Sequence, residues 1–304
     1  WQWVFWVNVP IGLLAIPLVR TRLEESFSPK AKLDLPGLGL VTGAALGLVW
    51  GLVRSNAAGW GSPEVVGTLA GGAALTGALV AWELRASAPM LPMRLFRSRA
   101  FSAGNAAIFF LNGSMVGAVF FMAQFQQVTL GQGPLAAGLR LLPWGVAPFL
   151  IAPRAGALVD RIGGRPLIVA GLVLQTIGMG WIALVASLSV SYLSLAVPMT
   201  LSGAGFALAI PALTKTVVSS VALADIGKAS GTFSTMRQLG GAFGVAIGVA
   251  VFAGSGGYGT AQAFSDGFVP AIAVSAALAL AGALAGSMLR GERAPGRAAV
   301  AAAG

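Results

Sequence analysis

Two short stretches of this chain hold residues able to do more than fill space. The first is GALVDRIGGRPLI, residues 156–168, where Asp160, Arg161 and Arg165 stand among Gly156, Gly163 and Gly164, with Arg154 just ahead. A carboxylate and guanidinium groups this close can form ion pairs, with one another or with the ends of neighbouring helices. The second is STMRQLGGAFGVAIG, residues 234–248, where Arg237 and Gln238 precede Gly240, Gly244 and Gly248. Neither stretch is equipped for bond chemistry. The 304 residues include no cysteine and no histidine, which removes disulfides, the usual zinc ligands and His-based acid–base catalysis. No catalytic residue, metal or cofactor is predicted.

The elements that must position these residues are apolar helices. Hydrophobic residues make up 57% of the chain and charged ones only 9%, against about a quarter in an ordinary soluble protein. A soluble domain cannot hide that much apolar surface, so the solvent is largely lipid. A crossing takes about 20 mostly apolar residues, and nine runs fit that template: 1–19, 36–53, 64–84, 101–126, 134–157, 166–187, 190–213, 229–254 and 267–289. The predicted fold class is therefore an all-α integral membrane protein. The net charge of +10 does not point to nucleic acid, because the basic residues cluster in short segments between apolar runs.

Those segments set the orientation. Arg20, Arg22, Lys30 and Lys32 follow the first run; Arg85, Arg94, Arg97 and Arg99 the third; Arg154, Arg161 and Arg165 the fifth. Lys215 and Lys228 follow the seventh, and Arg290, Arg293 and Arg297 the ninth. The opposite loops, such as VTLGQGP and GSGGYGTAQAFSDG, hold Arg54 and otherwise no Lys or Arg. The positive-inside rule makes the charged set cytoplasmic, including the C-terminus. The first run then enters from outside, so an odd number of helices is expected before Trp1. The expected organisation is a helix and loop over 1–35, a two-helix hairpin and linker over 36–100, a six-helix bundle over 101–290 and a disordered cytoplasmic tail over 291–304.

On this frame GALVDRIGGRPLI is a tight cytoplasmic turn between the fifth and sixth runs. Gly156 permits close helix approach, Gly163 and Gly164 permit the sharp turn, and Pro166 suits the first turn of the next helix. Asp160 is expected near that helix's N-terminus, where exposed N–H groups favour a carboxylate. A plain topology signal with helix caps accounts for the same residues. Gly240, Gly244 and Gly248 recur every four residues, a small-residue face for close helix contact, and Gly39, Gly43, Gly47 and Gly51 repeat the pattern. Arg237 lies about 12 Å inside its predicted helix, where it either serves a central cavity or bonds a neighbouring helix. Asn105 and Asn112, seven apart with Phe109 and Met115 nearby, either line a cavity for lipophilic compounds or bond an adjacent helix. Arg140 is shallower and can snorkel outward. Pro143, Pro148, Pro153 and Pro211 should bend their helices.

Gly156, Asp160, Arg161, Gly163 and Arg165 resemble the G-x-x-x-D-R-x-G-x-R signature of the major facilitator superfamily, found between the second and third helices of each six-helix half. That is their place in the unit beginning at 101. The resemblance implies a cytoplasmic latch that holds the outward-facing state. WQWVFWVNVPIG resembles the opening of the sixth helix in the fourteen-helix drug/proton antiporter branch (EmrB/QacA type), through Trp1, Trp3, Phe5, Asn8, Pro10 and Gly12, with Gln2 in place of the usual Arg. STMRQLGGAFGVAIG resembles that branch's thirteenth helix. The implied whole has fourteen helices, of which the first five are absent here and this part alone is inactive.

That resemblance implies an exporter of lipophilic, drug-like compounds in the bacterial inner membrane, driven by the proton gradient. No Asp or Glu lies near the middle of a predicted helix, so coupling follows from the resemblance alone. Its partners are a small lipophilic substrate and the lipid bilayer. An exporter or facilitator of another metabolite, and a non-transporting scaffold or sensor, are the alternatives.

Overall fold

The computed structural model describes residues 3–22, 34–86 and 89–289. Lys30, Lys32, Arg290, Arg293, Arg297 and the predicted tail over 291–304 lie outside the described residues. Every regular element among the described residues is helical. Eight helices among the described residues are long and apolar enough to cross a membrane.

The chain forms two compact units, Trp1–Asp34 and Leu35–Gly304. In the first, the predicted run 1–19 becomes two pieces, α1 (Trp3–Trp6) and α2 (Asn8–Arg22). Pro10 has no N–H to donate four residues back, and its ring crowds that carbonyl, so the helix restarts at Asn8. At 15 residues α2 is shorter than the eight spans, and one of the nine predicted crossings is therefore not a full-length helix.

The second unit begins with a hairpin, α3 (Leu35–Ala58) and α4 (Pro63–Glu83). Ser62 caps α4 by accepting the Val65 N–H. Gly47 and Gly51 face α4, where a Cβ would press on Gly72, Thr68 and Leu69. A Cβ at Gly43 would meet Leu75 at 3.1 Å and one at Gly39 would touch nothing, so the predicted four-glycine face is closed at three of its four positions. The linker then folds into a 3-10 turn, Met93–Arg97, tied back by the Leu91 N–H to the buried Glu83 carboxylate at 3.0 Å.

Six spans follow. α5 (Arg99–Gln124) continues as a π-helical turn, Phe125–Thr129. The predicted run 134–157 is broken into α6 (Pro134–Arg140) and α7 (Leu142–Ile162) at Leu141, just before Pro143. Then come α8 (Gly164–Val185), α9 (Tyr192–Ser219), α10 (Ile226–Ser255) and α11 (Ala261–Ser287). α5 is the central pillar, with half of its 26 residues buried, packed against α9, α10 and α11. α7 rests on α9, α8 sits between α9 and α11, and α3 packs on α10, where Asn56 donates to the Ala250 carbonyl.

The surface of this unit is inverted relative to a soluble protein. Phe149 (84% exposed), Leu184 (87%) and Leu193 (73%) project outward, which is stable only against hydrocarbon or further protein. Since lipid tails do not drive helices together, close packing and interhelical hydrogen bonds must. The Arg140 guanidinium lies 5.4 Å over the Tyr192 ring at the start of α9.

Candidate functional site

The charged turn joins α7 to α8, and its backbone needs glycine. Gly163 has φ +86°, a conformation that costs any residue with a Cβ, and its N–H closes α7 on the Val159 carbonyl at 3.0 Å. Gly164 opens α8 against Thr216, leaving no room for a Cβ. Gly156 is different: a Cβ there would meet nothing within 4 Å. The close approach predicted for Gly156 is not made in this unit, because the one-sided packing of α7 on α9 leaves that face uncovered.

Asp160 also departs from expectation. It lies in the last turn of α7 rather than at the head of α8, where the macrodipole disfavours a carboxylate. A cation compensates: Lys215, in the last turns of α9, donates to Asp160 Oδ1. Neither Arg161 nor Arg165 pairs with Asp160, and among the described residues neither forms an ion pair. Both members of the Asp160–Lys215 pair are more than half exposed. The pair thus fastens the end of α7 to the end of α9 at the exposed margin of a packed contact, where Val159 is buried in the same core as Leu213 and Val217.

A second ion pair at the same helix ends was not visible in the sequence. Arg94 Nη2 donates to Asp225 Oδ1 at 2.6 Å, joining the linker turn to the start of α10. Asp225 is almost fully buried while Arg94 stays largely exposed. Close by in sequence, Lys228 donates to the Pro89 carbonyl at 3.1 Å. The sequence signal for Lys215 and Lys228 was their sidedness, and only tertiary packing could supply their partners.

All but one of the remaining predicted residues gather where α5 meets α10. Gly240 approaches the Phe109 carbonyl, Gly244 approaches Gly113, and Gly248 packs under the Phe121 ring. A Cβ on Gly113 would lie 2.8 Å from the Gly240 carbonyl oxygen. This contact brings Asn112 to Arg237, with the amide donating to the Arg237 carbonyl at 2.7 Å. Asn112 is therefore partly an interhelix bond. Arg237 is the twelfth residue of α10, about 17 Å along it, deeper than predicted because α10 starts at Ile226. The Arg237 and Gln238 side chains are exposed, and Arg237 has no ion-pair partner among the described residues.

Asn105 does not join this patch. It is 1% exposed, and its amide donates to the Phe101 carbonyl of its own helix at 2.8 Å. The seven-residue spacing does place Asn105 and Asn112 on nearly one face. α5 is covered on all sides at Asn105 and only partly at Asn112, so Asn105 is sealed within the packing of this unit, where the expectation was a cavity wall or a bond to an adjacent helix. An unpartnered amide oxygen remains there.

The model of the Major Facilitator Superfamily matches residues 1–245 and again 106–304. The Tetracenomycin C resistance and export protein of Streptomyces glaucescens is 32% identical over 251 residues, 81% of this chain and 46% of that protein. The Cephamycin export protein CmcT of Amycolatopsis lactamdurans is 34% identical over 281 residues, 88% of this chain and 57% of that protein. The Multidrug resistance protein Stp of Mycobacterium tuberculosis is 32% identical over 249 residues, 81% and 46% respectively. The chain spans about half the length of the curated relatives it matches. A crystal structure of a point mutant of the nucleoside transporter NupG superposes with a TM-score of 0.51 at 17% identity, covering 81% of this chain and 66% of that one. That likeness speaks to the fold alone, and it agrees with the eight apolar spans. The chain is a multi-pass membrane protein and belongs to the Major Facilitator Superfamily.

Proposed function

We propose that this chain is the later part of an efflux transporter that exports lipophilic, drug-like compounds by alternating access. The observation that carries the reading is the uncovered polar patch of Asn112, Arg237 and Gln238 halfway along two spans. An arginine left to face lipid at that depth costs about 2.5–3.5 kcal/mol on insertion scales. A water-filled path, or a second bundle across it, relieves that cost. Two bundles rocking about a mid-membrane site supply both. The names of relatives that are export and resistance proteins support export as the direction of transport.

The same reading places the chain as nine helices of a fourteen-helix drug/proton antiporter, with α3 and α4 as an inserted hairpin and α5 to α11 as the second bundle. The proton gradient is the energy source, and the protein sits in the bacterial inner membrane with the helix ends at 85–99 and 160–165 in the cytoplasm. Orientation is testable directly, since the chain has no native cysteine. Tyr258→Cys should react with an impermeant maleimide in intact cells and Arg161→Cys only after permeabilisation. The reverse pattern would overturn the topology.

Function is tested with the full-length protein in cells lacking their own exporters. Steady-state accumulation of a lipophilic cationic dye should fall, and should recover when the proton gradient is collapsed. Arg237→Ala should retain membrane abundance while export per molecule falls about tenfold, a loss of about 1.4 kcal/mol. Arg237→Lys, which keeps the charge but not the planar fork, should fall less. Full activity per molecule in Arg237→Ala would make the patch structural. Unchanged accumulation across a panel of dyes would remove the export reading.

A further inference from the structure

The cations that the two ion pairs leave over enclose a separate recess of about 510 Å3. Its wall includes Arg97, Ser98, Arg99, Gly164, Arg165 and Thr216. Three arginines, a serine and a threonine line it together with Ala100 and Leu289, and among the described residues no Asp or Glu does. Among the described residues, none of the three arginines forms an ion pair. The carboxylates of the adjoining turns are already engaged, Asp160 by Lys215 and Asp225 by Arg94. Three like charges around one recess repel one another, and an anion is what relieves them.

The backbone adds to the same field. α5 and α8 both begin at this recess, at Arg99 and Gly164. The first N–H groups of a helix have no intrahelical acceptor, and the positive ends of two macrodipoles meet here. Ser98 caps α5 by accepting the Phe101 N–H, which leaves the N–H groups of Arg99 and Ala100 free to bind. Planar guanidinium forks match the oxygens of phosphate in pairs. The recess lies at the first residues of two helices long and apolar enough to cross a membrane, and the end of such a helix is where a lipid headgroup comes within reach.

We propose that this recess is a phosphate-binding site, occupied by the phosphate of an anionic phospholipid headgroup or by a free phosphate. The inference rests on the helices crossing a membrane and does not depend on export. It also gives Arg165 a role apart from Asp160. Basic pockets between membrane helices are suited to headgroups of this chemistry.

The test uses the full-length protein in detergent, with phosphatidylglycerol and phosphatidylcholine as competing probes and native mass spectrometry as the readout. The wild-type protein should retain phosphatidylglycerol over phosphatidylcholine by about tenfold, and the Arg97→Gln, Arg99→Gln, Arg165→Gln triple variant should show no preference. Arg154→Gln removes a cation of α7 outside the recess and should keep the preference. Adding inorganic phosphate separates the two sources: displacement of the lipid means that free phosphate also binds, and no displacement means that the headgroup is the ligand. If the triple variant elutes as aggregate, the single variants Arg99→Gln and Arg165→Gln carry the test, each expected to cut the preference about threefold. The same preference in wild type and the substituted proteins, or an equal loss in Arg154→Gln, would overturn the proposal.

Discussion

Gly244→Val should remove most of the folded protein from the membrane, while Gly231→Val, on the same helix, should leave its level close to normal. The contrast comes from what each Cβ would meet. At Gly244 it would run into the backbone carbonyl of Gly113, which cannot rotate aside as a side chain could. At Gly231 there is open space. Overpacking a well-fitted contact costs roughly 1–3 kcal/mol, occasionally more, and here the obstacle is main chain on both helices. Gly113, Gly240 and Gly244 form one interlocked contact, so the helices must separate along its whole length. The Asn112 bond to the Arg237 carbonyl would go with it. Membrane abundance and thermal stability of the extracted protein measure the effect. Normal values for Gly244→Val would show that α5 and α10 do not pack this way.

The sequence was most legible where the signal is local. Hydropathy over a window of membrane length finds a buried or lipid-facing helix without knowing its neighbours, and the boundaries of the eight spans follow it to within about six residues. Its failures are also local. The run 134–157 is continuous in hydropathy yet broken at Leu141, because hydropathy does not register the N–H that Pro143 lacks. The run 1–19 divides ahead of Pro10 for the same reason. Glycine spacing pointed to a close contact along α10, since a face without side chains has few other uses in lipid.

What the sequence could not give was coverage. Periodicity assigns Asn105 and Asn112 to one face of α5, but only the neighbouring helices decide that one is sealed and the other half open. The partner of Asp160 lies 55 residues away at Lys215, while two arginines within five residues are the obvious and wrong choice. Local charge spacing favours the near partner. The packing of α7 on α9 selects the far one.

That choice of partner sharpens what Asp160→Asn should do. Both side chains of the Asp160–Lys215 pair are more than half exposed, and exposed pairs contribute about 0–1 kcal/mol to stability. The variant should therefore fold and reach the membrane at near-normal levels. Its effect should appear in transport, provided the pair forms in one conformation of the cycle and breaks in another. A contact worth about 1 kcal/mol in only one state shifts the balance between states by roughly fivefold, so export by the full-length protein should fall by about that factor. Lys215→Ala should produce a similar loss if the pair itself is the fastening. The double variant Asp160→Lys, Lys215→Asp then restores the attraction and should recover most of the export lost in either single change. A carboxylate acting instead on another part of the protein would leave the swapped variant as impaired as Asp160→Asn. Export rates normalised to membrane protein, compared across the four proteins, separate these outcomes. Normal export in Asp160→Asn would reduce the turn to a marker of sidedness.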